Sequence, residues 1–134
     1  MIFVDTGPFL ARWLARDQHH AEAIEGWRAL GAARVPLATS GFVVDETLTL
    51  LGRRAGYAFA AARGRDLYAS GALTILRPDR RDEVAALGWF ERYADQRVSF
   101  TDCVSLALLG RHGIRRVFTF DRHFALAGYE VGLQ

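Results

Sequence analysis

The chain has 134 residues, 51% of them hydrophobic, with 17 basic residues against 15 acidic ones and a net charge of +2. Every basic residue is arginine, and the lack of lysine excludes both a P-loop and Schiff-base chemistry. Cys103 is the one cysteine, which excludes an internal disulfide and fits a reducing compartment.

A chain of this length is expected to form one domain over residues 1–134, burying about two-thirds of the surface its unfolded form exposes. No apolar run approaches the ~20 residues of a membrane span, and no basic region precedes the first strand-like segment. A cytoplasmic protein without a membrane anchor or signal peptide is therefore expected.

Ile2-Phe3-Val4 is a short apolar run closed by Asp5, which predicts a strand over 2–5 buried on both faces. Pro8 then suits the first turn of a helix over 8–15, and a second helix is expected over 19–30, with Gly31 just past its end. After a strand at 35–38, Thr39-Ser40 offers an N-cap for a helix over 40–52. A helix at 56–69, a strand at 73–76 and a helix at 80–93, preceded by Pro78, follow. The helix over 100–112 is ended by Gly113, and strands at 116–120 and 129–133 complete the order. Strands separated by helices imply parallel pairing, hence an α/β fold: a three-layer α/β/α sandwich with a central, mainly parallel sheet.

Four acids stand where this order would gather them. Asp5 and Asp121 close apolar runs at the carboxyl ends of predicted strands, the edge where open parallel sheets place ligands. Glu46 shares its helix face with Phe42, Val43 and Leu50, whereas its neighbour Asp45 aligns with Gly41, Thr49 and Gly52. Glu46 therefore points inward and Asp45 outward. An acid on a core-facing stripe is costly unless paired or bound to metal. Asp102 completes Ser99-Phe-Thr-Asp102, which fits a capping box. The helix that follows is apolar nearly all round, so the same acid also sits at the rim of the core, beside a positive helix end.

Hard oxygen ligands without convincing soft ones suit Mg²⁺ or Mn²⁺. With these four acids set aside as ligands, 17 arginines face 11 remaining acids. That polarity suits a polyanionic substrate, though a solvated basic surface would give the same count. Thr6 and Thr119 lie beside the strand-end acids, where hydroxyls can fix a carboxylate. Arg53, Arg54 and Arg122 are the candidate contacts to flanking phosphates. His19 and His20 are expected to face solvent, His123 to pack or touch phosphate, and Cys103 to act as a small apolar residue. Trp13, Trp27 and Trp89 fall on apolar helix stripes. The lack of lysine, with a single acid in Asp5-Thr6-Gly7, argues against response-regulator receivers and haloacid-dehalogenase-like phosphatases.

Val4-Asp5-Thr6, the helix from Ser40 through Glu46 to Leu51, Ser99-Phe-Thr-Asp102 and Thr119-Phe-Asp121-Arg-His-Phe124 resemble, in order, the motifs of PIN-domain ribonucleases. Within that family the likeness is strongest to VapC-type toxins of bacterial toxin–antitoxin pairs. Cys103 stands where alanine is commoner. The resemblance implies that Asp5, Glu46, Asp102 and Asp121 form an acidic metal-binding quartet supported by Thr6 and Thr119. It implies a Mg²⁺- or Mn²⁺-dependent endoribonuclease hydrolysing RNA with water as nucleophile, leaving 5′-phosphate and 3′-hydroxyl ends. A homodimer and a small antitoxin that inserts a basic or aromatic side chain into the acidic groove are implied as well. Two alternatives stay open: a stand-alone PIN nuclease in RNA maturation or decay, and a non-catalytic α/β interaction module.

Overall fold

The computed structural model describes residues 1–133. Five strands, β1 (Ile2–Val4), β2 (Leu37–Ser40), β3 (Leu73–Leu76), β4 (Arg116–Phe118) and β5 (Glu130–Val131), form one sheet in the order β3-β2-β1-β4-β5. Every pairing is parallel, with Phe3 of β1 set between Ala38 of β2 and Val117 of β4. Ile2, Phe3 and Val4 are wholly buried, as a continuous apolar run in a central parallel strand should be. From β1 the chain moves outward to β2 and β3, whereas from β4 it moves the other way to β5. The strand order thus reverses between β1 and β4, which opens a crevice at their carboxyl ends.

The helices are α1 (Thr6–Trp13), α2 (His20–Ala33), α3 (Gly41–Ala55), α4 (Tyr57–Ala69), α5 (Arg80–Arg92), α6 (Phe100–His112) and a single turn, α7 (His123–Leu126). Leu10 of α1, Leu51 of α3 and Ala60 of α4 share one buried cluster, and Ala86 of α5 shares another with Cys103, Val104 and Leu108 of α6. With the right-handed crossovers that parallel strands adopt, these groups cover opposite faces of the sheet. The expected three layers are present. Where α2 crosses β4 the approach is close: a Cβ on Gly26 would lie 2.6 Å from Phe118 Cζ.

Several boundaries differ from the sequence reading for local reasons. β2 starts at Leu37 because Pro36 has no N–H to give a ladder, although its carbonyl still accepts from the Ile2 amide at 3.0 Å. Gly31 lies inside α2, which runs on through the strong helix formers Ala32 and Ala33 and stops at Arg34 in the left-handed region, φ 52°. Gly113 does cap α6, at φ 65°. β1 and β4 each stop before their acid, so Asp5 is the N-cap of α1 and Asp121 lies in a loop three residues past Phe118.

A structural ion pair joins α5 to α6. Asp79 and Asp82 form a full capping box at the start of α5. The nearly fully buried Asp82 also receives both arms of Arg111, Nε at 2.6 Å and Nη2 at 2.7 Å. Hydrogen bonds from Arg111 hold its carboxyl down at about 2, against an ordinary 3.8. A depressed acid stabilises the fold above pH 3.8 and gives that up as pH falls toward 2. Arg111→Met leaves Asp82 buried without its partner, so a lowered melting temperature at neutral pH is expected. The gap from wild type should narrow in melts below pH 3; a constant gap would contradict the pairing.

Candidate metal centre

The four acids come from four different elements: Glu46, Asp102 and Asp121 line one cleft, and Asp5, buried behind it, lies close enough for its charge to act on theirs. Asp5 follows β1, Glu46 sits on the second turn of α3, Asp102 on the first turn of α6, and Asp121 in the loop after β4. α3 starts on schedule because Ser40 accepts from the Val43 amide at 3.1 Å, which fixes the helical phase that turns Glu46 inward. Glu46 is half-buried and lines the cleft, while Asp45 is exposed. Ser99 accepts from the Asp102 amide at 3.1 Å, so only the serine half of the capping box forms and the Asp102 side chain lines the cleft.

Thr119 ties two of these acids together. Its hydroxyl donates to Asp5 Oδ2 at 2.8 Å and accepts from the Asp121 amide at 3.0 Å. Thr6 donates to Glu46 Oε2 over a longer 3.4 Å. The other oxygen of Asp5, Oδ1, is buried with no hydrogen-bond partner. A buried acceptor without a partner is costly and calls for a cation or proton.

Electrostatics agree with that geometry. Burial, joined by the charges of Asp121 and Glu46, lifts the Asp5 carboxyl to about 6. Asp102 is pushed up to about 8, first by burial and then by Asp5, Asp121 and Glu46. Like charges crowded into a poorly solvated cleft favour neutral forms, unless a cation replaces the protons. Hard carboxylate oxygens, one of them buried and unpaired, fit a divalent ion.

His123 belongs to this group as well. Its amide donates to Asp121 Oδ1 at 2.8 Å, and its ring Nδ1 lies 2.5 Å from the same oxygen. Ligand atoms of Asp102, Asp121 and His123 all fall within 4.8 Å of one another. Sequence spacing placed His123 at packing or phosphate contact because α7, a single turn, left no periodic signal to aim its side chain. His19 was expected in solvent, yet its ring stacks on Phe120 at 4.4 Å and 14° beside the cleft. Its neighbour His20 bonds through Nδ1 to the Ala11 carbonyl.

The arginine candidates separate. Arg122 lines the acidic cleft. Arg53 and Arg54 are exposed in the last turn of α3, and Arg54 borders a different groove with Trp13, Leu14 and Arg16. Cys103 is buried, as expected of a small apolar residue, and burial pushes its thiol up to about 11. All three tryptophans pack against the core.

Residues 2–128 match the PIN domain. The chain belongs to the PIN-domain family. This PIN domain is 35% identical over 133 residues to the 23S rRNA-specific endonuclease VapC20 of Mycobacterium tuberculosis, covering 96% of this chain and 95% of that protein. Ribonuclease VapC26 of the same organism is 29% identical over 125 residues, covering 92% of this chain and 90% of the relative. The crystal structure of VapC20, described as a sarcin-ricin-loop-cleaving toxin, superposes with a TM-score of 0.84 at 32% identity over 96% of each chain. A toxin–antitoxin complex from Klebsiella pneumoniae shares the fold, with a TM-score of 0.63 at 13% identity. Among the described residues, no helix is long and apolar enough to cross a membrane.

Proposed function

We propose that this chain, as a single domain over residues 1–134, is a divalent-metal-dependent endoribonuclease and the toxin of a type II toxin–antitoxin pair. The observation that carries the reading is the meeting of four carboxylates around a buried, unpaired Asp5 oxygen at the reversal point of the sheet. Asp5, Glu46, Asp102 and Asp121 would hold Mg²⁺ or Mn²⁺. When bound, such an ion neutralises charge on phosphate oxygens and lowers the pKa of water, so no protein nucleophile is needed.

The chain's own residues then supply position. Thr119 fixes the carboxylate of Asp5 and the backbone of Asp121 at once, holding two ligand-bearing segments in register. Thr6 restrains Glu46 in the same way. Arg122, on the cleft wall, is the arginine placed to meet a phosphate flanking the scissile bond. Arg53 and Arg54 lie farther out, where they would serve a longer stretch of RNA. A small antitoxin reaching into the acidic groove, a homodimer and a cytoplasmic site of action belong to the same reading.

The relative's printed substrate, 23S rRNA, sets the first RNA to test. Purified protein is expected to cut 23S rRNA in Mg²⁺ or Mn²⁺ and not in excess chelator, with end-mapping that finds 5′-phosphate and 3′-hydroxyl termini. Cleavage that persists in chelator, or products ending in a cyclic phosphate, would overturn the metal-hydrolysis reading.

A further inference from the structure

His123 is held against the cleft by its surroundings. Phe124, the next residue, is wholly buried, and the Leu126 and Ala127 amides close the single turn of α7 onto the Arg122 and His123 carbonyls at 3.1 and 3.0 Å. The His123 side chain is 16% exposed. Its own backbone amide donates to Asp121 Oδ1, so the turn sets the ring beside that carboxylate before anything binds.

The protein alone does not account for what the ring does there. Nδ1 lies 2.5 Å from Asp121 Oδ1 but off the line of a hydrogen bond, and among the described residues it is buried with no hydrogen-bond partner. A buried polar nitrogen left in this way is costly, and a neutral imidazole has a lone pair to give. Asp5, tied to the Asp121 backbone through Thr119, keeps its Oδ1 buried and unpartnered as well. Donor atoms of Asp102, Asp121 and His123 meanwhile fall within 4.8 Å of one another. Nitrogen and carboxylate oxygens crowded together, without a hydrogen bond from the ring to join them, are arranged as ligands around a cation.

We propose that His123 is a nitrogen ligand of the metal site and tips that site toward Mn²⁺ over Mg²⁺. The inference rests on the metal centre of the proposed function and adds a ligand to it. Mg²⁺ is a hard ion that takes oxygen and keeps its water, so an imidazole offers it little. Mn²⁺ is equally served by carboxylates, yet as a first-row transition ion it gains from a nitrogen donor. A residue that only oriented Asp121 from behind would act differently, because its loss would weaken both ions alike.

Pulsed EPR on the Mn²⁺-loaded protein reads the ligand directly, without RNA. Wild type is expected to show the echo modulation of a directly bound ¹⁴N. His123→Gln, which offers oxygen in place of nitrogen, should lose it, while His19→Gln, at the other histidine beside the cleft, should keep it. By calorimetry His123→Gln should bind Mn²⁺ at least about tenfold more weakly and Mg²⁺ within about threefold of wild type. Wild-type Mn²⁺ bound through oxygen alone overturns the inference and leaves the proposed function standing. Modulation that survives His123→Gln, or an equal loss of both ions in that variant, overturns it too. A wild type that binds neither ion overturns the metal centre itself.

Discussion

Replacing Asp5 or Asp121 by asparagine is expected to cut RNA cleavage by at least about a hundredfold, equivalent to about 2.7 kcal/mol of transition-state stabilisation. Each change keeps the side chain's shape and removes one negative charge from the cleft. In Asp5→Asn the amide oxygen can still accept from Thr119, and the oxygen that lacks a partner gives way to an uncharged NH2 that can donate to the neighbouring carboxylates. The protein should therefore fold and melt at least as well as wild type. Asp121→Asn likewise keeps an acceptor for the His123 amide. Loss of activity in a well-folded protein is what separates a lost metal ligand from a lost structural contact. Asp45→Asn is the matched control, because Asp45 is exposed one residue away from Glu46 and should change the rate little. Initial rates on one structured RNA in Mg²⁺, with melting curves on the same samples, check all three. A wild-type rate from the Asp5 variant, or an Asp45 variant as inactive as the others, would contradict the assignment.

The part of this site that local rules govern was legible in the sequence. Asp5 and Asp121 were expected at the carboxyl edge of the sheet because each ends an apolar run, and the chain does place both just past the ends of β1 and β4. Glu46 was told from Asp45 by helical phase alone, and burial follows that phase. Asp102 was read both as the acid of a capping box and as a rim residue; only its backbone amide serves the cap, donating to Ser99, and its side chain lines the cleft. What escaped the sequence depends on contacts across the chain. The bridge from Thr119 to Asp5 spans 114 positions, and beside-the-acid placement suggested a role for Thr119 without naming its partners. The His19–Phe120 stack spans about a hundred residues, and α7 is too short for periodicity to reveal. The pairing of Asp82 with Arg111 was hidden for the same reason: a charged residue at a helix start reads as solvated until α6 is packed against it. Distance along the chain, rather than the kind of residue, divided what could be read from what could not.

Asp102→Asn is expected to raise the melting temperature of the chelated protein at neutral pH while blunting its response to metal. Asp102 and Asp5 both carry folded-state pKa values above the ordinary 3.8, about 8 and about 6. Below pH 3.8 both are protonated in the folded and the unfolded chain, and neither costs stability. Between pH 3.8 and 8 the unfolded chain releases protons that the folded chain retains, so stability falls with rising pH and levels off once Asp102 has ionised. Asparagine cannot ionise, and the Asp102 backbone amide that Ser99 caps is untouched, so the variant should lose most of that slope. In a chain of this size each kcal/mol relieved is worth about 3–5 °C. Metal works on the same charges in the opposite direction, because an ion that binds only the folded state stabilises it by mass action. Wild type should therefore gain most from millimolar Mn²⁺ or Mg²⁺ near pH 8, where the apo cleft is most strained, and less at pH 5, where Asp102 and Asp5 still hold their protons. The variant should gain less at both. Melts of the two proteins from pH 4 to 8, with and without metal, decide the matter. A wild-type curve indifferent to metal, or an Asp102 variant with an undiminished shift, would show that these carboxylates do not act as one ion site.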